Sequence, residues 1–597
     1  MMPRRIFAYL VLFTILIASL GAQDRLYWDF PDPVDVANGG RFPQIVVAGD
    51  RMVLAWQEFQ GEPGSLEATI SIRAAFSEDG RQWSEPVSVA EDLAYLWLEE
   101  VPLFSVTAGG DGRLTAAVAV AREGVALYRQ TSPGPAGSFE QTALIPSGPQ
   151  AADAAVAPRL VTAPDGSHRL FLTRRTAVEG ASRPTTLTIF QSTSEDGRTW
   201  SSPSLFIDPD SDRAADGAVL EQNFLPDYRA VDGTELVVFQ SLRQGPEAQV
   251  YQLYVKSRPS GGTWSAARPL TEILGTRDGD EALLWDNQRP SLGLGADGEI
   301  LVSWERRRGR DRPGIAAAVI DENGSVVSDT VEEVVDDRYT SAFPRALVLR
   351  ESTWILWFDD TGIRLARRSA PYDYAVQAAS LDGNTPGALR GSAAFPRSVR
   401  FRGNSYLLWQ DSTVGLDRAV ILRPDLFVAP PTLADANFLS GRPGNRRTLT
   451  VDWIPPEDSS GVLSHSWRWS RSPQALPSRA EGDQVYGAPR AAFTFESPED
   501  AEGDWYFSLV ARDQAGNWSE PLRLSYTLDI TPPPPPVLEP LRTDAYGYLA
   551  SNTFGIRWRD AESSAAAYYR WRMDYLAASP EDLDLEALEA LSVRTGE

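Results

Sequence analysis

The 597-residue chain contains no cysteine. That excludes disulfides, thiolate metal sites, a cysteine nucleophile and a lipidated N-terminal cysteine. Only two histidines occur, His168 and His465. They fall in different expected domains, so neither a His cluster nor a Ser-His-Asp arrangement is evident. His168 reads as a cap on the turn Asp165-Gly166-Ser167. Lys256 is the single lysine, and nearly all positive charge is arginine. Positive charge is also outweighed, 56 Lys and Arg against 81 Asp and Glu, for a net charge of −25. Such a surface repels phosphate backbones and anionic lipid, so no nucleic-acid partner is expected. No apolar run beyond the first twenty residues is long enough to cross a bilayer.

What is present starts with an export signal. Arg4 and Arg5 precede a mostly apolar run, Ile6 to Leu20, and small residues follow at Gly21 and Ala22. This reads as a signal peptide over 1–22 with Gln23 as the mature start, and an uncleaved anchor as the alternative. No membrane insertion is expected beyond that segment, and the location is periplasmic or extracellular. An exported chain without disulfides must be held by core burial. The 43% hydrophobic content and 18 tryptophans supply the material, which suits a large β-rich bacterial protein. The length implies about three domains.

Two repeats set the architecture. The first is a turn: Ser77-Glu78-Asp79-Gly80-Arg81-Gln82-Trp83 returns as Ser194-Glu195-Asp196-Gly197-Arg198-Thr199-Trp200. A degenerate copy runs from Ser257 to Trp264, with Gly262 as its glycine and Pro259 where Asp belongs. Each lies between strand-like segments. The Ser hydroxyl and Asp carboxylate can bond turn backbone, Gly takes the positive φ, and Trp folds back as an apolar plug. The second repeat is a proline opening a strand that ends in aromatic or apolar residues: Pro43, Pro102, Pro158, Pro226, Pro290, Pro344 and Pro396. Their spacing matches units of four short strands, as in a propeller blade. Seven units give seven blades, with six or eight open because the second unit's turn, Gly134 to Phe139, is degenerate. The seventh unit lacks a clear fourth strand. Asp32-Pro33-Val34-Asp35-Val36-Ala37 is similar to Glu85-Pro86-Val87-Ser88-Val89-Ala90, so the N-terminal segment is expected to complete the last blade and remove an open edge.

The turns resemble the Asp-box (BNR) repeats of the sialidase-like propeller superfamily over residues 23–430. The usual box is Ser-x-Asp-x-Gly-x-Thr-Trp, and the first two copies here are one residue shorter between Asp and Trp. The resemblance implies a structural role for Ser77, Asp79, Gly80, Trp83, Ser194, Asp196, Gly197, Trp200, Ser257, Gly262 and Trp264, away from any catalytic face. Sialidases use an arginine triad, an Asp acid/base and a Tyr nucleophile activated by Glu. Of these, only Arg41 carries over, in Gly40-Arg41-Phe42-Pro43. Between Trp56 and Ile70 only Glu58, Glu62 and Glu67 occur, and Phe343 stands where the Tyr belongs. Phenylalanine has no oxygen with which to attack an anomeric carbon. Arg159, Arg345 and Arg397 follow their prolines and read as ordinary blade residues.

Beyond Thr448 the rhythm changes to that of a β-sandwich. Ala511 to Ser519 resembles the closing hairpin of bacterial fibronectin type III/Ig-like modules, which places one such domain at 432–530. A proline-rich linker follows at 531–540, stiffened by Pro532 to Pro536. Gly555 to Trp558 opens a second sandwich, 541–597, that looks cut short, so further domains are expected downstream. The fold class is thus all-β, a seven-bladed propeller (six the alternative) followed by a β-sandwich and a truncated second one. Asp208-Pro209-Asp210-Ser211-Asp212 reads as a solvated loop, with a Ca²⁺ site as the alternative, and no metal or cofactor is expected. Arg306, Arg307 and Arg308 form a basic patch that could take a glycan carboxylate or sulfate. The expected function is an exported, non-catalytic binding or scaffold protein for a protein or glycan ligand. The alternative is a sialidase-like glycoside hydrolase with altered catalytic residues.

Overall fold

The computed structural model describes residues 27–29, 32–540 and 556–559, with breaks chiefly at 62–67, 95–101, 147–155, 273–280 and 379–392 and several shorter ones. The signal segment 1–22, Glu62, Glu67 and most of 541–597 therefore lie outside the described residues. The chain divides into two compact units, Met1–Leu426 and Phe427–Glu597. It is all-β, and no described helix is long and apolar enough to cross a membrane.

The first unit is propeller-like: its described residues form seven four-stranded antiparallel sheets. Six of them take four consecutive strands each. The seventh takes three strands, Ala393–Phe401, Asn404–Asp411 and Arg418–Leu422, and gains its fourth from Asp32–Asn38 at the start of the chain. A separate apolar cluster fills each junction between neighbouring sheets. Val53, Ala55 and Ile72 of the first sheet pack with Phe104 and Val118 of the second. Leu54 and Trp56 pack the other way, against Leu408 and Ile421 of the seventh. Alternate residues of one strand thus enter two different cores, because successive side chains point to opposite faces. That is why the second strands read as unbroken apolar runs such as Met52 to Trp56.

In six units the repeated proline does not open its strand but sits inside the innermost strand, at a β-bulge, whereas Pro102 precedes its strand, Phe104–Ala108. Arg41 pairs with Gln57 and Gln44 with Ala55, so Phe42 and Pro43 stand opposite Trp56 alone. A bulge is one of the few places in a sheet where a missing N–H costs nothing. The residue before the proline takes a left-handed conformation in six of the seven units: Phe42, Ala157, Leu225, Arg289, Phe343 and Phe395 have φ between 49° and 56°. The seventh, Val101, lies outside the described residues. Side chains of the preceding sheet hold several of these bulges. Gln410 Oε1 accepts from Phe42 N at 2.8 Å, Gln240 Oε1 from Arg289 N at 2.8 Å, and Glu305 Oε1 from Phe343 N at 2.9 Å.

The second unit contains a three-stranded sheet, Thr432–Ala436, Thr448–Ile454 and Arg490–Thr494. A four-stranded sheet of Pro443–Gly444, Leu522–Leu528, Gly503–Asp513 and Val462–Ser470 lies with it. Both contribute to one core: Leu449, Val451 and Trp453 from the first, Trp469, Phe507 and Leu509 from the second. Beyond it, Val537–Pro540 pairs with Ile556–Arg559. The last four residues of the proline-rich segment are therefore strand rather than linker.

Candidate functional site

The innermost strands of all seven sheets line one cavity of about 110 Å³ in the first unit. Gln44, Ser105, Arg159, Asp227, Arg289, Arg345 and Arg397 reach it, one from each sheet in turn. Three of the arginines, and the aspartate, occupy the same position of the repeat, immediately after the bulge proline. In five of the seven sheets that position lines the cavity (Gln44, Arg159, Asp227, Arg345 and Arg397), so residues far apart in the chain converge. Arg159, Arg345 and Arg397 are not ordinary blade residues.

Arg159 Nη2 donates to Asp227 Oδ1 at 2.8 Å, and Leu292 N donates to Asp227 Oδ2 at 2.9 Å. Arg345 and Arg397 each donate to the carbonyl of their own preceding proline, at 3.2 and 3.3 Å. Neither has an ion-pair partner among the described residues. Arg289 is paired with Glu305 at 2.7 Å and lies over the Phe343 ring. Counting that pair as neutral, three guanidinium groups against one carboxylate leave a net charge of +2 among the described residues lining the cavity. Arg159 keeps 38% of its side-chain surface and Asp227 15%, and both line the cavity. Burial lowers the pKa of Arg345 and Arg397, and the neighbouring arginines lower Arg397 further. Burial alone would raise Asp227, but Arg159, then Arg345, the Leu292 amide and Arg397, hold it below the usual carboxylate range. An aromatic rim adjoins these charges, with Phe395 4.7 Å from both Phe42 and Phe343.

The other sequence candidates sit elsewhere. Arg41 pairs with Asp417 at 3.0 Å and does not line the cavity. Glu58 accepts from Trp56 Nε1 and Arg73. Phe343 does border the cavity. The basic patch is split by strand alternation. Arg306 pairs with Glu333 and lies over Trp285, beside Arg308, whereas Arg307 pairs with Asp286.

The box turns have the geometry their residues imply. Gly80 N donates to Ser77 Oγ at 2.7 Å, and Arg81 N and Gln82 N donate to Asp79 Oδ1 at 2.7 and 2.9 Å. The second copy repeats this with Ser194, Asp196 and Gly197. Trp83, Trp200 and Trp264 pack against the cores of their sheets. In the third copy Gly261, not Gly262, takes the positive φ, and the Ser257 hydroxyl bonds Asn323 O of the next sheet.

Three further expectations change. His168 is no turn cap. It is buried between Thr162 and Arg129, and burial, then Arg129, lowers its pKa to about 4. The acidic run at 208–212 is exposed at Asp208, Asp210 and Ser211, but its last residue, Asp212, is fully buried and paired with Lys256 at 2.6 Å. Tyr–Glu pairs do occur, at Tyr228–Glu235, Tyr254–Glu272 and Tyr374–Glu332, with arginines alongside. Burial and the adjacent carboxylate raise all three phenols, the reverse of what a nucleophile needs, and none lines the axial cavity.

No family model and no curated protein matches the chain. Among solved structures it is similar to a protein of unknown function from Dyadobacter fermentans, at 14% identity over 67% of this chain and 99% of that one, TM-score 0.39. It is similar to Penicillium chrysogenum alpha-L-arabinanase complexed with arabinobiose at 13% identity over 55% and 98%, TM-score 0.35. The NanB sialidase from Streptococcus pneumoniae overlaps at 11% identity over 67% and 70%, TM-score 0.35. Overlap at this level carries no argument about activity.

Proposed function

We propose that the protein is an exported, non-catalytic binding or scaffold protein. In this reading the first unit is a closed seven-bladed Asp-box propeller of the sialidase-like kind. It presents the face around the axial cavity to a protein or glycan ligand. The second unit is a fibronectin type III/Ig-like sandwich that spaces the propeller from what it is attached to. Export rests on Arg4, Arg5 and the apolar run that follows them.

One observation supports binding over hydrolysis. Glycoside hydrolysis needs two carboxyl groups flanking the scissile bond, or a Tyr nucleophile served by Glu. Among the described residues lining the cavity, Asp227 is the one carboxylate, and it is fixed by Arg159 and the Leu292 amide. Its depressed pKa leaves it without a proton to give. A glycan array and a pull-down, run beside fluorogenic sialoside and aryl-glycoside assays on the purified chain, test this. Binding without turnover is expected. Turnover that disappears in Arg41→Ala or Arg345→Ala would establish the hydrolase instead.

A further inference from the structure

We propose that the axial cavity binds a tetrahedral, doubly charged oxyanion, such as inorganic phosphate, sulfate or a phosphate monoester, between Arg345, Arg397 and Arg159. The proposal rests on the binding reading and names the chemical group that reading leaves open.

The charge count comes first. A net +2 among the described residues lining one cavity, in a chain of net −25, calls for a counter-charge of −2 at short range. Geometry then selects the shape. A planar carboxylate keeps its acceptor lone pairs close to one plane. Here the donors come from the third, sixth and seventh sheets, three directions around one axis. A polyhedral anion with acceptor oxygens on several sides uses all three. Arg345 and Arg397 have spare donors, since their hydrogen bonds go to proline carbonyls. Arg159 Nε is buried without an acceptor among the described residues, while its Nη2 is anchored on Asp227. Asp227 repels an anion from its own side and so directs it towards Arg345 and Arg397.

Size agrees. One water occupies about 10–15 Å³ measured in this way. A cavity of about 110 Å³ holds a small oxyanion with a few waters, or the charged end of a larger ligand, and no complete oligosaccharide. The phenylalanine rim lowers the local polarity and strengthens each charge-assisted hydrogen bond.

Isothermal titration of the full chain at constant ionic strength, with phosphate, sulfate, acetate and chloride as probes, tests this. Saturable binding of one phosphate or sulfate per chain is expected, with acetate and chloride at least tenfold weaker. Arg345→Gln and Arg397→Gln should each weaken the dianion tenfold or more. Asp227→Asn should tighten it, because that variant raises the local charge. Glucose 6-phosphate binding as well as phosphate would place the anion on an entering ligand; binding of inorganic ions alone would make it a free ion, and both support the site. No saturable binding by a chain with native circular dichroism would overturn it. So would equal responses from wild type and both arginine variants, since that marks a general salt effect. An array or pull-down hit with no oxyanion binding would remove this inference and leave the binding reading standing. Oxyanion binding with no macromolecular hit would do the reverse.

Discussion

At the scale of single residues, the rare side chains bear the most. Lys256, the one lysine, is buried and donates to Asp212 and to Phe206 O while lying over the Phe206 ring. Asp212 also accepts from Asp208 N and Ala267 N, so both charges are fully engaged. Removing one partner strands the other in the core. Lys256→Met should cost about 3–5 kcal/mol by urea unfolding at neutral pH, and Lys256→Met with Asp212→Leu should recover much of it. A single variant within about 1 kcal/mol of wild type would show that the pair is not buried as described. The two histidines set the acid response. Burial lowers His168 and His465 to about 4, against 6.5 when unfolded. A folded pKa below the unfolded one means stability that is complete above pH 6.5 and is lost as pH falls towards 4. Each histidine accounts for about 3 kcal/mol over that window. Urea midpoints measured from pH 7 to 4 should fall, and His168→Gln should flatten the decline of the first unit only.

At the scale of elements, the recurring device is the bulge that holds a proline behind a residue of positive φ. Left-handed backbone costs a non-glycine residue about 1–2 kcal/mol, and six units accept that cost; in five of them the side chain after the proline lines the cavity. Ala157 isolates the effect, since its methyl is small. Ala157→Gly should leave stability within about 0.5 kcal/mol of wild type, strain relief offsetting the lost methyl and the added chain entropy. The same change at Ala117, buried in a second strand at ordinary φ, should cost at least about 1 kcal/mol. Equal costs would deny the strain. This element also marks the limit of what the sequence shows. The prolines and the Ser-Asp-Gly turns are local signals and were legible, as was the resemblance of Asp32 to Ala37 to a fourth strand. The arginine cluster was not, although the residue after each proline reads Gln44, Leu103, Arg159, Asp227, Ser291, Arg345, Arg397. Only closure of the ring makes that column a neighbourhood, and closure is a long-range property. Lys256–Asp212 was hidden for the same reason, its partners being forty-four residues apart and joining a strand to a loop.

At the scale of the first unit, the ring is closed by non-covalent contacts alone, because no disulfide is available. The clasp is the start of the chain. Asp32–Asn38 pairs with Arg418–Leu422, Trp28 bridges Pro424, and Asp29 forms ion pairs with Arg81 and Arg423. Trp28, Val34 and Ala37 are buried in the junctions on either side of the seventh sheet. A chain beginning at Gly39 would lose the burial of these three, worth about 5 kcal/mol, and expose the unpaired edge of Arg418–Leu422. An open edge recruits another strand, so that truncation should unfold at lower urea and run as oligomers in size-exclusion chromatography. A synthetic peptide of residues 27–38 can occupy the same edge by strand addition and should restore the monomer. The axial site provides an independent gauge: its seven lining strands keep their spacing only while the ring is closed, so the truncated chain should lose oxyanion binding and regain it with the peptide. A truncated chain that stays monomeric at unchanged stability would mean that the other six junctions hold the ring without its clasp.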